Sequence, residues 1–238
     1  MTGRRTFFRQ GMKDGIPIAL GYLAVSFSFG ILAVKAGLSA GQAVLMSALN
    51  VTSAGQFASL SIIAASGSYV ELALSQLIIN LRYCLMSFSL SQKFDPKGRP
   101  VHRYLAAFGN TDEIFALSSA AEGYVSPWYI YGMMAVAIPG WLLGTALGAV
   151  AGNILPVRVL SALGVALYAM FCAIIVPPAK ENKILAGIIL FSMLSSLAFA
   201  VLPLLRDISS GTRVILLTVG IAALAAALFP RKEDAHEG

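Results

Sequence analysis

Charge is scarce in this chain. Charged residues make up only 12% of its 238 positions, about half the share found in a soluble globular domain. A polar shell for a soluble domain of this length cannot be assembled from them. Cysteine and histidine are scarcer still. Cys84 and Cys172 both lie in apolar stretches and belong to no Cys-x-x-Cys pair, while His102 and His236 stand alone in polar segments. A structural disulfide and a zinc site are not expected on that basis. The chain also lacks a Gly-x-x-x-x-Gly-Lys-Ser/Thr loop, a His-Glu-x-x-His helix and a Gly-x-Ser-x-Gly elbow. Nucleotide binding by the first route and hydrolysis by the other two therefore have no basis in the sequence. No cofactor or metal is expected, and the chain reads as a non-enzyme.

Apolar sequence is what the chain has in abundance: 58% of residues are hydrophobic and mean hydropathy is +0.79. The runs approach the ~20 residues needed to cross a ~30 Å hydrocarbon core. Clear apolar helices are expected over 15–36, 69–92, 127–150, 159–177, 184–205 and 214–229. The fold class is therefore all-α, a polytopic membrane helix bundle. A tail (1–14) precedes one transmembrane domain (15–230), and a short polar tail (231–238) follows it. The net charge of +6 does not point to nucleic acid, because Lys and Arg concentrate in the connections, where they set membrane orientation. The run Arg4-Arg5-Thr6-Phe7-Phe8-Arg9 resembles a twin-arginine export signal. No small-residue cleavage site follows Leu38, however, and more spans come after it, so these arginines are expected to anchor a cytoplasmic N-terminus.

Two apolar stretches, 40–66 and 100–121, are interrupted near their middles, the first at Asn50–Gln56 and the second at Gly109–Glu113. The N-terminal tail (Arg4, Arg5, Arg9, Lys13) and the connection 93–103 (Lys93, Lys97, Arg99, Arg103) are both basic, so both belong on the cytoplasmic side. That requires 40–66 not to cross or to cross twice, most simply as a helical hairpin that dips in from outside and returns. If 100–121 likewise dips in and returns, twelve basic residues lie inside and four outside, with a cytoplasmic C-terminus. If it crosses, the split is eleven to five and the C-terminus is external. The first arrangement is favoured.

Both interruptions carry capping-box spacing, Ser53-Ala54-Gly55-Gln56 and Asn110-Thr111-Asp112-Glu113. Gly109 suits the end of a preceding short helix and Pro100 its start. Each stretch thus reads as two half-helices meeting at a polar break. Non-helical backbone at membrane depth persists only inside protein or beside a wet cavity, and half-helix N-termini offer free N–H groups to a ligand. Span, broken hairpin, span, broken hairpin is the order of an inverted repeat. Polar kinks packed within the bundle are the plainer alternative.

Arg82 lies midway along 69–92, and Asp112 and Glu113 lie at the second break. Ionisable groups at membrane depth mark functional candidates. A guanidinium fork suits a carboxylate, and Asp112 or Glu113 suits an ammonium group or a proton. The alternatives are a structural Arg82 ion pair and a capping role for Glu113. Gln76, Asn80, Tyr83 and Ser87 form one polar stripe on this helix, and Glu71, Ser75, Arg82 and Ser89 form another. Such a helix either lines a cavity or hydrogen-bonds to its neighbours. Gly140, Gly144, Gly148 and Gly152 recur every four residues and invite close helix packing, within the chain or with a partner. Trp128 with Tyr124, Tyr129 and Tyr131 resembles an interfacial aromatic belt.

Gly15-Ile16-Pro17-Ile18, the tract Asn50 to Phe57, Asn80-Leu81-Arg82-Tyr83 and Thr111-Asp112-Glu113-Ile114-Phe115 together resemble the AzlC family, the large subunit of branched-chain amino-acid exporters. The resemblance implies export of leucine, isoleucine and valine, with methionine a further candidate, across a bacterial inner membrane and driven by an ion gradient. It also implies a small AzlD-like membrane subunit as partner. Combined with the residue reading, it makes Ser53, Gln56, Asn80, Arg82, Asn110 and Thr111 candidate substrate contacts, and Asp112 and Glu113 candidate proton or ammonium sites. A channel for a small polar solute and a non-transporting scaffold are the rival functions.

Overall fold

The computed structural model describes residues 2–151, 172, 176, 179–202, 205 and 208–229. The expected helix 159–177 falls mostly outside these residues, and Gly152 and the tail 231–238 fall wholly outside. Among the described residues every regular element is a helix. In chain order they are α1 (Thr2–Lys35), α2 (Ala40–Leu49), α3 (Ser53–Ala64), α4 (Tyr69–Gln92), α5 (Val101–Phe108), α6 (Asp112–Ala120), α7 (Pro127–Ala151), α8 (Lys183–Val201) and α9 (Ser210–Leu228). Five of them, α1, α4, α7, α8 and α9, are long and apolar enough to cross a membrane.

The first span does not begin at residue 15. Helix α1 starts at Thr2 and continues for 34 residues, about 50 Å at the ~1.5 Å rise of an α-helix. The basic segment is helical because it packs on the start of α7: Arg4 lies over the Trp128 ring, and the Tyr129 hydroxyl donates to Asp14 at 2.8 Å. The helix ends in a Schellman arrangement, with Leu38 N–H donating to Ala33 O and Gly37 N–H to Val34 O. Gly37 takes φ +92° there, a conformation disfavoured for residues with a Cβ.

Helices α1 and α7 lie against each other along most of their length. A Cβ added at Gly140 would meet Ala19, at Gly144 Leu23 and Ser26, and at Gly148 Phe27; on the facing helix, Gly11 abuts Tyr129 and Gly132, and Gly15 abuts Met133 and Val136. Small residues let two backbones approach where lipid supplies no hydrophobic drive. The glycine face of α7 is therefore covered by α1, so it is an intrachain contact. The contact numbers rise together, so the two helices run parallel.

That direction fixes what lies between them. Helix α4 returns the chain to the end where α1 began, Leu90 in its last turn and Phe94 just beyond it joining Ile18, Ala106, Ile114, Val125 and Met133 in one apolar cluster. The α5–α6 hairpin starts and finishes at that end, because Lys93 Nζ donates to Ala121 O at 2.8 Å and Val125 N–H to Lys93 O at 2.7 Å. The α2–α3 hairpin occupies the opposite end, where Ala43 and Leu60 pack with Phe29, Ala33 and Ala149. At about 12–18 Å each, the four short helices reach roughly halfway across a ~30 Å core. The arrangement α1–α2–α3 is thus repeated with reversed direction by α4–α5–α6.

Helix α9 packs on α4 and α3, and α8 packs on α9. Glu71, expected only as part of a polar stripe, accepts hydrogen bonds from the Ser209 hydroxyl and from Gly211 and Thr212 N–H at 3.0 and 3.3 Å. A carboxylate there satisfies the open N-terminus of α9.

Candidate functional site

The two breaks meet on α4. At the first, Thr52 adopts extended backbone and caps α3, its Oγ1 accepting from Gly55 N–H at 3.3 Å. The same hydroxyl donates to Asn80 at 2.9 Å; Asn50 donates to Gln76, and Gln76 donates in turn to Gly55 O and Ser59. The stripe Gln76–Asn80–Tyr83–Ser87 therefore faces the breaks and replaces the hydrogen bonds that interrupted helix loses.

Neither expected capping box forms. Ser53 lies inside α3, with Thr52 as the cap. Gln56 is fully buried; it donates to Ser47 at 3.1 Å and accepts from the Trp141 indole N–H at 3.0 Å. Ser47 also bonds Thr145 at 2.8 Å. A buried amide is costly without partners, and these interhelical groups satisfy it better than a backbone cap. Gln56 is thereby a structural link between α2, α3 and α7. Among the described residues, a capping box forms at Ser39–Gln42, at the start of α2.

At the second break, Thr111 precedes α6 without making a side-chain cap, and Asn110 donates to Ser87 at 3.2 Å. Glu113 turns away from the backbone and accepts from the Tyr22 hydroxyl of α1 at 2.5 Å, which removes its expected capping role. Arg82 pairs with Asp112 at 2.8 Å, with side chains 43% and 34% exposed. Its guanidinium also lies 4.9 Å from the centre of the Tyr83 ring and donates to the Tyr83 hydroxyl at 3.2 Å.

Two neighbouring cavities separate the breaks. One, of about 20 Å³, is lined by Tyr22, Val51, Ser53, Tyr83, Thr111, Asp112, Glu113 and Trp141, and it has room for about one water. The other, of about 190 Å³, is lined by residues of both breaks together with Asn80 and Tyr83. Among the described residues, Asn110 Oδ1 and Thr111 Oγ1 are buried there without hydrogen-bond partners, whereas Asn50 and Thr52 at the first break are both bonded to α4. Of the candidate residues, Ser53, Asn80, Asn110, Thr111, Asp112 and Glu113 line these cavities, Arg82 joins through Asp112, and Gln56 is committed elsewhere. Tyr22 and Trp141 were not anticipated. The available signal was a phenol and an indole in otherwise apolar spans, each needing a partner for its polar atom. Among the described residues there is no cluster of three His, Cys, Asp or Glu that could hold a metal.

The chain matches the family described as AzlC protein over residues 17–155, a range running from α1 through α7 and including both breaks. An uncharacterized membrane protein of Archaeoglobus fulgidus is 34% identical over 188 residues, covering 78% of this chain and 82% of the relative. Inner membrane protein YgaZ of Escherichia coli is 30% identical, covering 78% and 83%. The branched-chain amino acid transport protein AzlC of Bacillus subtilis is 22% identical, covering 61% and 58%. No solved structure matches. With the broken hairpins, the α4 polar stripe and these similarities in place, the chain belongs to the AzlC family, whose members here are membrane proteins.

Proposed function

We propose that this protein is the transport subunit of a branched-chain amino-acid exporter, moving leucine, isoleucine and valine out of the cell on an ion gradient. The observation that carries the reading is the Arg82–Asp112 pair beside two converging helix breaks. A zwitterionic amino acid carries the same two charges. Its carboxylate replaces Asp112 on the Arg82 fork, and its ammonium group replaces Arg82 on Asp112, so the broken ion pair is recovered in two new ones. The open acceptor oxygens of Asn110 and Thr111 add partners for an ammonium donor, which sets the amine toward the second break. Leu49, Val51 and Phe108 supply apolar surface for a branched side chain.

The basic residues of the N-terminus and of 93–103 gather at one end of the bundle, where Phe7, Phe94, Arg99, His102 and Arg103 line one cavity. That clustering supports a cytoplasmic N-terminus. The small AzlD-like partner rests on the family resemblance. Leucine counterflow in proteoliposomes tests the function. Saturable exchange that valine competes, and that Arg82→Ala and Asp112→Asn each remove, is expected. Exchange unaltered by both substitutions would overturn the site, and non-saturating flux would point to a channel.

A further inference from the structure

Glu113 is a carboxylate with its expected task taken away. It makes no cap, and its bond is to a neutral phenol at 2.5 Å. Among the described residues its neighbour Asp112 has the ion pair and Glu113 has none. The charged and titratable groups around it are Tyr22 from α1, Arg82 and Tyr83 from α4, and Asp112 on its own helix; α7 and the first break contribute neutral Trp141, Val51 and Ser53. Among the described residues the site therefore holds one cation against two carboxylates.

Building on the transport reading, we propose that Glu113 is the coupling carboxylate, binding a proton and helping to bind the substrate's ammonium group in alternation. With Glu113 ionised, Arg82 takes the substrate carboxylate, and Asp112 and Glu113 share the ammonium. A hydronium ion in the cleft then gives its proton to a Glu113 carboxylate oxygen, one O–H bond breaking to leave water as the new O–H bond forms. The ammonium loses one of its two counter-charges, Arg82 closes on Asp112, and the amino acid leaves. Deprotonation of Glu113 toward the opposite side resets the site. The Tyr22 hydroxyl keeps its proton throughout and donates to the unprotonated Glu113 oxygen, so Tyr22 is a positioning residue. The geometry favours this division: the cleft beside Glu113, about 20 Å³, admits a water but not an amino acid. The arrangement left once the proton has displaced the substrate is thus one that excludes it, and mutually exclusive occupancy is what exchange of proton for substrate requires.

The test uses the full chain, its Glu113→Gln, Tyr22→Phe and Asp112→Asn variants, and two readouts. In proteoliposomes, Glu113→Gln should weaken leucine exchange through the lost ammonium contact, and the ratio of its exchange with a pH gradient to its exchange without one should fall at least about tenfold below the parent's, within the usual range of coupling energies. Tyr22→Phe should keep the acceleration with an altered pH profile. A Glu113→Gln protein that responds to the gradient as the parent does would overturn the proposal. So would acceleration by a sodium gradient alone, or loss of pH response with intact exchange in Asp112→Asn. Infrared difference spectra on acidification, recorded without substrate, are the second readout. A carboxyl band missing from Glu113→Gln and displaced in Tyr22→Phe is expected, and its presence in Glu113→Gln would overturn the assignment. If the parent carries no leucine but shows the band, the substrate reading falls and proton binding at Glu113 stands.

Discussion

Trp141 and Gln56 show how much of this membrane interior is decided by single polar atoms. Both side chains are at most 2% exposed, and the indole N–H reaches the amide oxygen at 3.0 Å. Trp141→Phe keeps an aromatic ring against Tyr22, which it now meets edge-on at 5.4 Å between centroids, but leaves the Gln56 oxygen unpaired. An unsatisfied buried acceptor costs about 1–3 kcal/mol, so the melting temperature in detergent should fall. The double variant Trp141→Phe with Gln56→Leu should lose less than the sum of the two single variants, because partners removed together leave no orphan. Strict additivity would show that the bond contributes nothing. At this scale the sequence revealed which residues were out of place, Arg82, Asp112, Glu113 and Gln56, but not whom they meet. Spacing of three residues suggested local caps for Gln56 and Glu113. Each found a partner on a distant helix, because a buried side chain is governed by the groups packed against it.

Among the elements, α7 offers a controlled comparison between glycines that are needed and glycines that are not. A Cβ at Gly148 would drive into the Phe27 backbone of α1, whereas Gly187 in α8 and Gly220 in α9 have nothing within 4 Å. Gly148→Ala should therefore destabilise by the ~1–3 kcal/mol typical of overpacking. Gly187→Ala should be neutral or stabilising by up to about 1 kcal/mol, the helix-propensity difference. Detergent melting separates the two, and equal effects would remove α1–α7 contact as the reason for the glycine repeat. Glu71→Gln belongs to the same scale. It weakens the acceptor at the start of α9, where the free N–H groups of a helix N-terminus favour a negative charge; trypsin should then cut more readily at Arg213. An unchanged cleavage rate would leave Glu71 without a role in holding α9. The broken hairpins were legible because Asn50, Thr52, Asn110 and Thr111 interrupt apolar runs. The early start of α1 was not, because residues 2–14 look like a polar tail until α7 is placed beside them.

For the whole molecule, the decisive property is the number of times 100–121 passes through the bilayer. Charge counting distinguished re-entry from crossing by a single basic residue. The fold supplies an independent argument, since α1 and α7 pack in parallel along a shared glycine face and Lys93 is hydrogen-bonded to Ala121 and Val125 across the mouth of the hairpin. With α4 returning the chain once, a second full crossing would turn α7 over and abolish that contact. Sidedness can be read with a membrane-impermeant thiol reagent after Cys84 and Cys172 are replaced by alanine. Lys97→Cys and Glu122→Cys, both exposed, should react from one face of the membrane. Lys35→Cys and Tyr69→Cys, also exposed, should react from the other. Positive charge at Arg4, Arg5, Arg9, Lys13, Lys93, Lys97, Arg99 and Arg103 predicts that the first face is the cytoplasmic one. Labelling of Lys97→Cys and Glu122→Cys from opposite faces would mean that 100–121 crosses. The reversed repeat would then lose its second half, and the Arg82–Asp112 pair would no longer lie between two half-helices entering from opposite sides.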